Sequence, residues 1–289
     1  MRTTPTRLSG TYSHIEPWDS PSGASLCVYH QTSVSAPAKG VVHINHGLGE
    51  HAGRYARFAA ALSSAGYHVY AQDHRGHGAT TAPDAQQGVF AQKTHGKTGA
   101  DIVLQDVKFV NTKIKQRHPN LPMIMFGHSM GAMITYNYLL RWPKTVDACA
   151  IWNAAMSKHP NTTLLKLVLS LESKIRKPRA DSIVNDLTFG AFNKKFKPNK
   201  TDFDWLSKDV EECQKYQDDP DCGWPASVSM WQDLLAWVLR GASDAGLENV
   251  PKDMPIFLLG GDADPSTNFA KATQDMQARF ANIGLTNIK

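Results

Sequence analysis

The sequence predicts an α/β fold with a mostly parallel β-sheet, helices on both faces of the sheet and a helical insertion. From about residue 39 to residue 152, short apolar segments alternate with segments whose apolar residues recur at helical spacing. The alternation stops for nearly a hundred residues and resumes at Pro255. Strands that alternate with helices of this size indicate crossover connections, which join parallel strands.

Each element rests on a local pattern. In one helix, Val103, Val107, Val110 and Ile114 recur at helical spacing, and Pro119 ends the pattern. The other elements are bounded in the same way by glycine, proline and polar turns. We expect buried strands at residues 41–45 and 255–261 and further strands at residues 23–33, 67–71, 123–126 and 146–152. We expect helices at residues 55–65, 99–118, 132–141 and 267–280, and the beginning of another strand at residues 286–289.

Residues 153–250 form the insertion. They contain helical and irregular patterns but no convincing strand, and the segment is too long for an ordinary loop. Because α/β sheets place their binding sites at the carboxyl ends of the strands, we expect this segment to be a cap over those ends. The core is then discontinuous and consists of residues 1–152 and 251–289.

The cap has an apolar helical segment at residues 164–171, and nine basic residues against three acidic ones lie between Leu164 and Lys200. An apolar stripe beside a basic one suits a surface that accepts acyl chains or contacts anionic lipid at the membrane periphery. A cap helix that packs on the core and exposes its basic face to solvent gives the same pattern, so both interpretations stay open. The second cap segment, residues 228–239 with Trp231 and Trp237, is interpreted mainly as packing.

Composition limits the classes of protein that fit. Hydrophobic residues make up 42% of the 289 residues, enough for a sizeable core, and the net charge of +5 is too mild to indicate nucleic-acid binding. No apolar leader is visible at the N-terminus, and no apolar stretch approaches the length of a membrane span. The four cysteines lack metal-ligand spacing, so we expect reduced thiols in a cytoplasmic protein without metal or cofactor. Cys213 and Cys222 are close enough in sequence to bridge in an oxidising compartment.

The most informative motif is Gly-His-Ser-Met-Gly at residues 127–131, between an apolar segment and a predicted helix. A Gly-x-Ser-x-Gly between a strand and a helix is the nucleophile elbow of α/β-hydrolases. The turn is so tight that the serine is strained, and a side chain at either glycine position would collide with neighbouring elements. The motif therefore predicts Ser129 as a catalytic nucleophile.

Attack by a serine requires donors for the oxyanion that develops on the substrate. One expected donor is the N–H of Met130, directly after the nucleophile and at the positive end of its helix. The other is the N–H of Leu48 in His-Gly-Leu-Gly-Glu-His at residues 46–51, where two glycines let the backbone curl towards a substrate carbonyl. A simple turn at residues 46–47 is the alternative.

The catalytic acid is expected at the end of a later strand. Asp264 in Gly-Asp-Ala-Asp-Pro fits, while Asp262, at the very end of the strand, is expected to stabilise the turn. The chain order in this fold is Ser, then Asp or Glu, then His, but none of the twelve histidines follows Asp264. Roughly 25 to 35 residues should separate the acid from the histidine. We therefore expect the catalytic histidine beyond Lys289.

Three motifs together resemble those of one family. The sequence His-Gly-Leu-Gly-Glu-His-Ala-Gly-Arg-Tyr at residues 46–55 resembles the oxyanion-loop signature of monoacylglycerol lipases and bacterial lysophospholipase-like hydrolases. Asp-His-Arg-Gly-His-Gly at residues 73–78 and the motif at residues 127–131 match the same family. The resemblance covers residues 39–152, weakens through the cap and returns at residues 255–264.

The resemblance implies an α/β-hydrolase fold with a cap. It implies the roles of nucleophile for Ser129, acid for Asp264, and oxyanion donors for Leu48 and Met130. It also places Glu50 and Arg54 beside the alcohol portion of a monoglyceride, although a solvated ion pair on one helical turn would use the same spacing. Residues 73–78 are interpreted as loop scaffolding and His128 as a packing residue of the elbow.

Three functions remain open from the sequence. The leading hypothesis is a serine carboxylester hydrolase that cleaves monoacylglycerols, lysophospholipids or similar acyl esters through an acyl-enzyme. A peptidase or thioesterase would use the same residues, and only substrate profiling separates them from an esterase. A non-catalytic α/β-hydrolase-fold protein that binds a small ligand is favoured if the native gene encodes no later histidine. The sequence leaves the acyl length, head group and oligomeric state undetermined.

Overall fold

The computed structural model describes residues 12–91, 96–156 and 160–289. The strands of these residues are β1 (His14–Asp19), β2 (Ser25–Gln31), β3 (Gly40–Asn45), β4 (Tyr67–Gln72), β5 (Met123–His128), β6 (Ala148–Trp152) and β7 (Ile256–Leu259). They form one sheet in the order β1-β2-β4-β3-β5-β6-β7. The strands from β4 to β7 pair in parallel, whereas β1 pairs with β2 and β2 with β4 in antiparallel fashion. The predicted mostly parallel sheet is confirmed.

Helices cover both faces of this sheet. In the described part of the chain they are α1 (Ala56–Ser64), α2 (Gly99–Arg117), α3 (Met130–Arg141), α4 (Pro160–Ile175), α5 (Ala191–Asn193), α6 (Val210–Asp218), α7 (Val228–Gly241) and α8 (Lys271–Asn282). Helix α1 shares an apolar cluster with one face of β3. Helices α2, α3 and α8 belong to a larger cluster on the other face. Strand β3 is buried along its whole length because both of its faces are covered.

Two strands differ from the sequence predictions. Strand β1 was not predicted, since its Pro17 lies in a polar segment; proline is tolerated there because β1 is at the edge of the sheet. Strand β7 was predicted to be wholly buried, but Phe257 and Leu259 are 44% and 37% exposed. The expectation of full burial was wrong because only one face of β7 is covered.

The chain returns to β7 after helix α8. The N–H of Ile256 donates to the Asn287 carbonyl (3.0 Å) and that of Leu258 to the Lys289 carbonyl (2.8 Å). Ile288 lies parallel to Ile256. The expected beginning of a strand at residues 286–289 therefore pairs with the sheet.

Residues 153–250 contain no strand in the part that the structure describes, as predicted. Within this cap segment, α7 packs on α3, and Asn137 Nδ2 donates to the Trp237 carbonyl (3.1 Å). Trp237 is fully buried and Trp231 almost so, which confirms their role in packing.

None of the described helices combines the length and the apolarity needed to cross a lipid bilayer. All four cysteines, including Cys213 and Cys222, are free thiols.

Candidate active site

The Gly-His-Ser-Met-Gly motif turns from β5 into α3 at Ser129. Ser129 has φ 54° and ψ −118°, a left-handed conformation that is costly for a residue with a side chain. A Cβ atom on Gly127 would lie 2.1 Å from the Gly131 carbonyl oxygen, and one on Gly131 would lie 2.0 Å from the Asn45 carbonyl oxygen. Both glycines are thus required by close backbone approach, as the motif predicts. Met130 begins α3, so its N–H is among the first four that have no acceptor within the helix.

The ring of His46 supports the loop after β3 through two hydrogen bonds to backbone atoms. Its Nδ1 lies 2.8 Å from the Gly47 carbonyl oxygen, and its Nε2 accepts the N–H of His74 at 2.9 Å. This pattern requires a neutral ring with the proton on Nδ1. Burial, together with His74 and His77, lowers the pKa of His46 well below its ordinary value. His46 and the loop at residues 73–78 therefore act as scaffold for the backbone that carries Leu48.

Glu50 forms the centre of a buried polar cluster. Its carboxylate accepts the N–H of Gly47 (2.6 Å), the hydroxyl of Tyr55 (2.8 Å) and the Nε–H of Arg54 (3.1 Å). The side chain of Glu50 is 10% exposed and that of Arg54 is 26% exposed. The ion pair expected between Glu50 and Arg54 is present, but it is largely buried and not solvated.

The environment of Glu50 favours its charged form. Burial opposes ionisation, but the nearby His128 and Arg54 side chains outweigh it and hold the pKa of Glu50 well below its ordinary value. His128 Nδ1 lies 3.6 Å from the Glu50 carboxylate and 3.3 Å from the Tyr55 hydroxyl oxygen. His128 is therefore directed towards Glu50, in keeping with a packing role in the elbow.

We expect Glu50→Gln to lower the free energy of unfolding by about 2 kcal/mol at pH 7, because Arg54 loses the charge that balances it in a partly buried site. Since the folded-state pKa is depressed, the stabilisation is present above the ordinary pKa of about 4.5 and is lost as the pH falls towards the folded-state value. Urea unfolding of both proteins between pH 3 and 8 measures the difference.

The matched control is Glu211→Gln, which removes an exposed carboxylate at the start of α6. It should change stability by a few tenths of a kcal/mol. An equal loss in the two variants would show that the buried cluster has no special contribution.

Asp264 lies after β7 and faces Asn153, which follows β6. Asn153 Nδ2 donates to Asp264 Oδ2 (2.7 Å), and the N–H of Ser266 donates to Oδ1 (2.8 Å). The Asp264 carboxylate therefore bonds within the turn that follows it, and the turn-stabilising role of Asp262 stays a prediction. Asp262 is exposed and lies within the turn at residues 261–264, in which the N–H of Asp264 donates to the Gly261 carbonyl (3.2 Å). Two fixed donors leave the carboxylate of Asp264 oriented, with lone pairs free for a further N–H.

Most of the predicted site residues line one cleft of about 400 Å³ at the carboxyl ends of the strands. These residues are Leu48, Glu50, Arg54, Ser129 and Asp264. Met130 lies behind them, with a buried side chain. His128 is the histidine that lines the cleft within the described residues, whereas His95 and His159 lie outside those residues.

The cap segment, residues 153–250, lines the other side of the cleft and contacts residues 49–54. The Gly49 carbonyl accepts the Tyr216 hydroxyl (2.7 Å) and the N–H of Gly223 (2.9 Å). Arg54 lies 4.7 Å from the centre of the Tyr216 ring. His51 Nε2 also bonds to Asp219 at 3.0 Å. The cap is therefore anchored to residues 49–54 by several polar contacts.

The sequence analysis missed the residues that reach the site from a distance. Asn153 carries a signal that could have identified it, because it follows a strand next to the elbow and has a left-handed φ of 52°. Tyr216 and Gly223 carry no such signal, because they meet Gly49 across more than 160 residues. Aromatic residues that line the cleft from the cap, Phe189 and Trp205, stack with 5.4 Å between ring centres.

Comparison with known proteins identifies the family. The profile of the serine aminopeptidase S33 family matches residues 36–287. A monoacylglycerol lipase of Mycolicibacterium smegmatis is 34% identical over 137 residues, which are 47% of this chain and 45% of that protein. A monoglyceride lipase homologue of monkeypox virus is 32% identical over 63% of this chain and 56% of that protein. The chain thus spans about half the length of these curated relatives.

The fold has close counterparts among solved structures. A thermostable carboxyl esterase from Bacillus coagulans, solved in complex with glycerol, superposes with a TM-score of 0.83. The superposition covers 96% of this chain and 88% of the esterase at 24% identity, which establishes the fold alone. The family profile extends over most of the chain, including β3, the elbow and β7. The chain therefore belongs to the serine aminopeptidase S33 family and is an α/β-hydrolase of the monoacylglycerol lipase type.

Proposed function

We propose that the protein is a serine carboxylester hydrolase that cleaves acyl esters such as monoacylglycerols or lysophospholipids. The observation that carries the proposal is the strained Ser129, held with φ 54° at the tip of the β5–α3 turn, beside a cleft that it shares with Asp264 and Leu48. Strain of this kind persists where the surrounding structure fixes it, and it is concentrated at functional sites. The lipases named among the relatives support an ester as the substrate.

In the proposed reaction, Ser129 Oγ attacks the acyl carbon while a base takes the hydroxyl proton. The carbonyl oxygen becomes an oxyanion, which the N–H groups of Leu48 and Met130 stabilise. Collapse of this intermediate breaks the bond to the alcohol, which leaves with the proton from the base, and forms an acyl-enzyme. Water then attacks the acyl carbon with the help of the same base, and the fatty acid is released.

We propose that the base is a histidine that follows Asp264 in the chain. Asp264, fixed by Asn153 and Ser266, is the residue that would orient it. The pairing of residues 287–289 with β7 supports this proposal, because a further strand is expected between the acid and the histidine in this fold.

We expect residues 1–289, which contain no histidine after Asp264, to have only trace esterase activity. A chain that supplies a histidine after Asp264 should hydrolyse a short p-nitrophenyl ester far faster, because a serine without a base keeps its proton. Turnover measured on both proteins checks this. Equal turnover would assign the base to another group and contradict the expectation.

The cleft suits an amphiphilic ester. Phe189, Trp205 and Leu206 supply apolar surface from the cap, while Arg54 and Glu50 supply polar groups beside the oxyanion loop. We propose that the acyl chain lies against the aromatic residues and the alcohol portion near Arg54. Most of the hydrogen-bonding capacity of Glu50 is used within its own cluster, so Arg54 is the better candidate for direct contact.

A substrate panel tests the proposal. Monoacylglycerols and lysophospholipids of 8 to 18 carbons are compared with an acyl thioester and with aminoacyl p-nitroanilides, using the complete protein and its Ser129→Ala variant. We expect kcat/KM to be highest for the oxygen esters and to depend on Ser129. Preference for p-nitroanilides would indicate a peptidase and preference for the thioester a thioesterase. No hydrolysis of any substrate would favour a non-catalytic binding protein.

We also propose that α4 contacts a membrane surface. Leu164, Leu167 and Leu171 are each more than half exposed and Ile175 is 82% exposed, so one apolar stripe faces away from the core. The basic residues of the segment, including the exposed Lys174, lie nearby. This arrangement is typical of helices that lie in an anionic lipid interface.

We expect the double change Leu167→Ser and Leu171→Ser to weaken binding to phosphatidylglycerol-containing vesicles about tenfold or more, since each exposed leucine contributes apolar area to the lipid contact. Co-sedimentation with the vesicles measures the change. The control is Val34→Ser, which removes a 72% exposed apolar side chain in a distant loop. Unchanged binding in the double variant would assign α4 to packing alone.

A further inference from the structure

Three histidines lie together at the end of the sheet opposite the cleft. His30 is on β2, His68 is near the start of β4, and His118 directly follows α2. One ring nitrogen from each lies within 4.8 Å of the others. None of the three lines the active-site cleft, which is formed at the carboxyl ends of the parallel strands. The cluster therefore has no part in the proposed ester hydrolysis.

The register of the sheet brings these rings together. His30 is opposite Tyr70, and His68 lies two residues before Tyr70, so both imidazoles project from the same face. Helix α2 packs across this face, and its end places His118 with Nε2 2.9 Å from the Tyr70 hydroxyl oxygen. The rings of His68 and His118 stack with 4.5 Å between their centres. Three separate elements thus converge at one point.

Burial favours the neutral form of the three imidazoles, which is the form that binds metal ions. Burial, together with the charges of the other two rings, His14 and Arg117, lowers the pKa of His30 to about 4. Burial likewise lowers the pKa of His68 and of His118. Arg117 is balanced by Glu16 at 2.6 Å, so the surroundings carry little net charge.

One nitrogen of the cluster is unused. His30 Nε2 is buried and has no hydrogen-bond partner, an arrangement that is uncommon for a buried polar atom. The Tyr70 hydroxyl can accept the Nε2–H of His118, which leaves a free lone pair on Nδ1 of His118. A fixed partner on the second ring nitrogen is usual for metal-binding histidines. His68 Nδ1 accepts the N–H of Ser33 at 3.2 Å. Ser33 is only half buried, so water can replace His68 as its acceptor.

We propose that His30, His68 and His118 form a binding site for one divalent transition-metal ion of the Zn²⁺ type. Three imidazole ligands suit Zn²⁺, Co²⁺, Ni²⁺ or Cu²⁺, whereas Mg²⁺ and Ca²⁺ prefer oxygen ligands. Water completes the coordination at the half-exposed side. The bound ion connects β2, β4 and the end of α2, and so stabilises the antiparallel edge of the sheet independently of catalysis.

Titration calorimetry with Zn²⁺ and absorption spectroscopy with Co²⁺ test the site on the complete protein. We expect one ion per chain, no binding of Mg²⁺, and a Tm increase of roughly 5 to 10 °C when free Zn²⁺ is 100 times Kd. His30→Gln and His68→Asn should each weaken binding at least tenfold. The matched control is His14→Gln, an exposed histidine whose ring stacks on His30 at 5.8 Å.

Circular dichroism confirms that each variant is folded, and two separate ligand variants keep the test decisive if one fails to fold. Unchanged affinity in His30→Gln or His68→Asn would overturn the proposal. Equal weakening in His14→Gln would indicate adventitious binding to surface histidines and would also overturn it. Cys222→Ser examines another candidate group, His51, Asp219 and Cys222. Loss of the ion in that variant alone would place it beside the cap and refute the assignment.

Discussion

Ser129→Ala in the complete protein is expected to reduce ester hydrolysis on the order of 10⁵-fold while the fold is retained. Members of a catalytic triad act as a unit, so the loss of the nucleophile removes nearly the whole contribution of that unit. Donors at Leu48 and Met130 would leave a small residual advantage over water. Initial rates with a p-nitrophenyl ester, combined with thermal unfolding, measure both quantities. Alanine still has to adopt φ 54°, so Tm should change little.

The control is Ser35→Ala, an exposed serine in the loop between β2 and β3. It should leave both the rate and Tm unchanged. If Ser129→Ala keeps wild-type turnover with a p-nitrophenyl ester, the nucleophile assignment is wrong. If Ser129→Ala loses activity together with Tm, the loss reports unfolding, and Ser129→Cys, which restores a nucleophile of similar size, separates the two effects.

Gly131→Ala is expected to lower the free energy of unfolding by more than about 3 kcal/mol. The added Cβ would lie 2.0 Å from the Asn45 carbonyl oxygen and 2.7 Å from that of His46. Both contacts are to backbone, which cannot move aside like a flexible side chain, so α3 would have to shift away from β3. Urea unfolding gives the free-energy change directly.

Gly190→Ala is the matched control for this substitution. Gly190 has helical backbone angles, with φ −61° and ψ −40°, and its added Cβ would meet only the Asp186 side chain at 3.9 Å. It should be neutral or stabilising by up to about 1 kcal/mol, because alanine restricts the unfolded chain more than glycine does. Similar losses in both variants would mean that the close approach of α3 to β3 is not what makes Gly131 necessary.

The core was predictable because its signals are local. The elbow is contained in residues 127–131, where two glycines and a serine define a turn that few other sequences permit. The helix α2 pattern lies within one segment of the chain. Its Thr98 cap, whose hydroxyl accepts the Asp101 N–H at 3.2 Å, is equally local but was not predicted. The mostly parallel sheet followed from the alternation of strands and helices, whereas the strand order, in which β3 lies between β4 and β5, was not predicted.

The rest depends on contacts between distant segments. Asp264 was predicted to be the acid, but its partner Asn153 lies 111 residues away and only the fold brings them together. The exposure of Phe257 and Leu259 could not be predicted either, because an apolar run has the same sequence whether one face or both are covered. The cap was predicted as an insertion, whereas its packing against residues 49–54 has no local pattern.

The two bonds to the Gly49 carbonyl have a thermodynamic consequence. A cap that lifts to admit a substrate must give up the Tyr216 and Gly223 donors, and the loop that carries Leu48 then loses part of its support. Under the proposed role of Leu48 as an oxyanion donor, opening and transition-state stabilisation are linked equilibria, and linkage is reciprocal. A ligand that requires an ordered loop will favour the closed cap, and a surface that holds the cap open will weaken affinity for that ligand by the same factor.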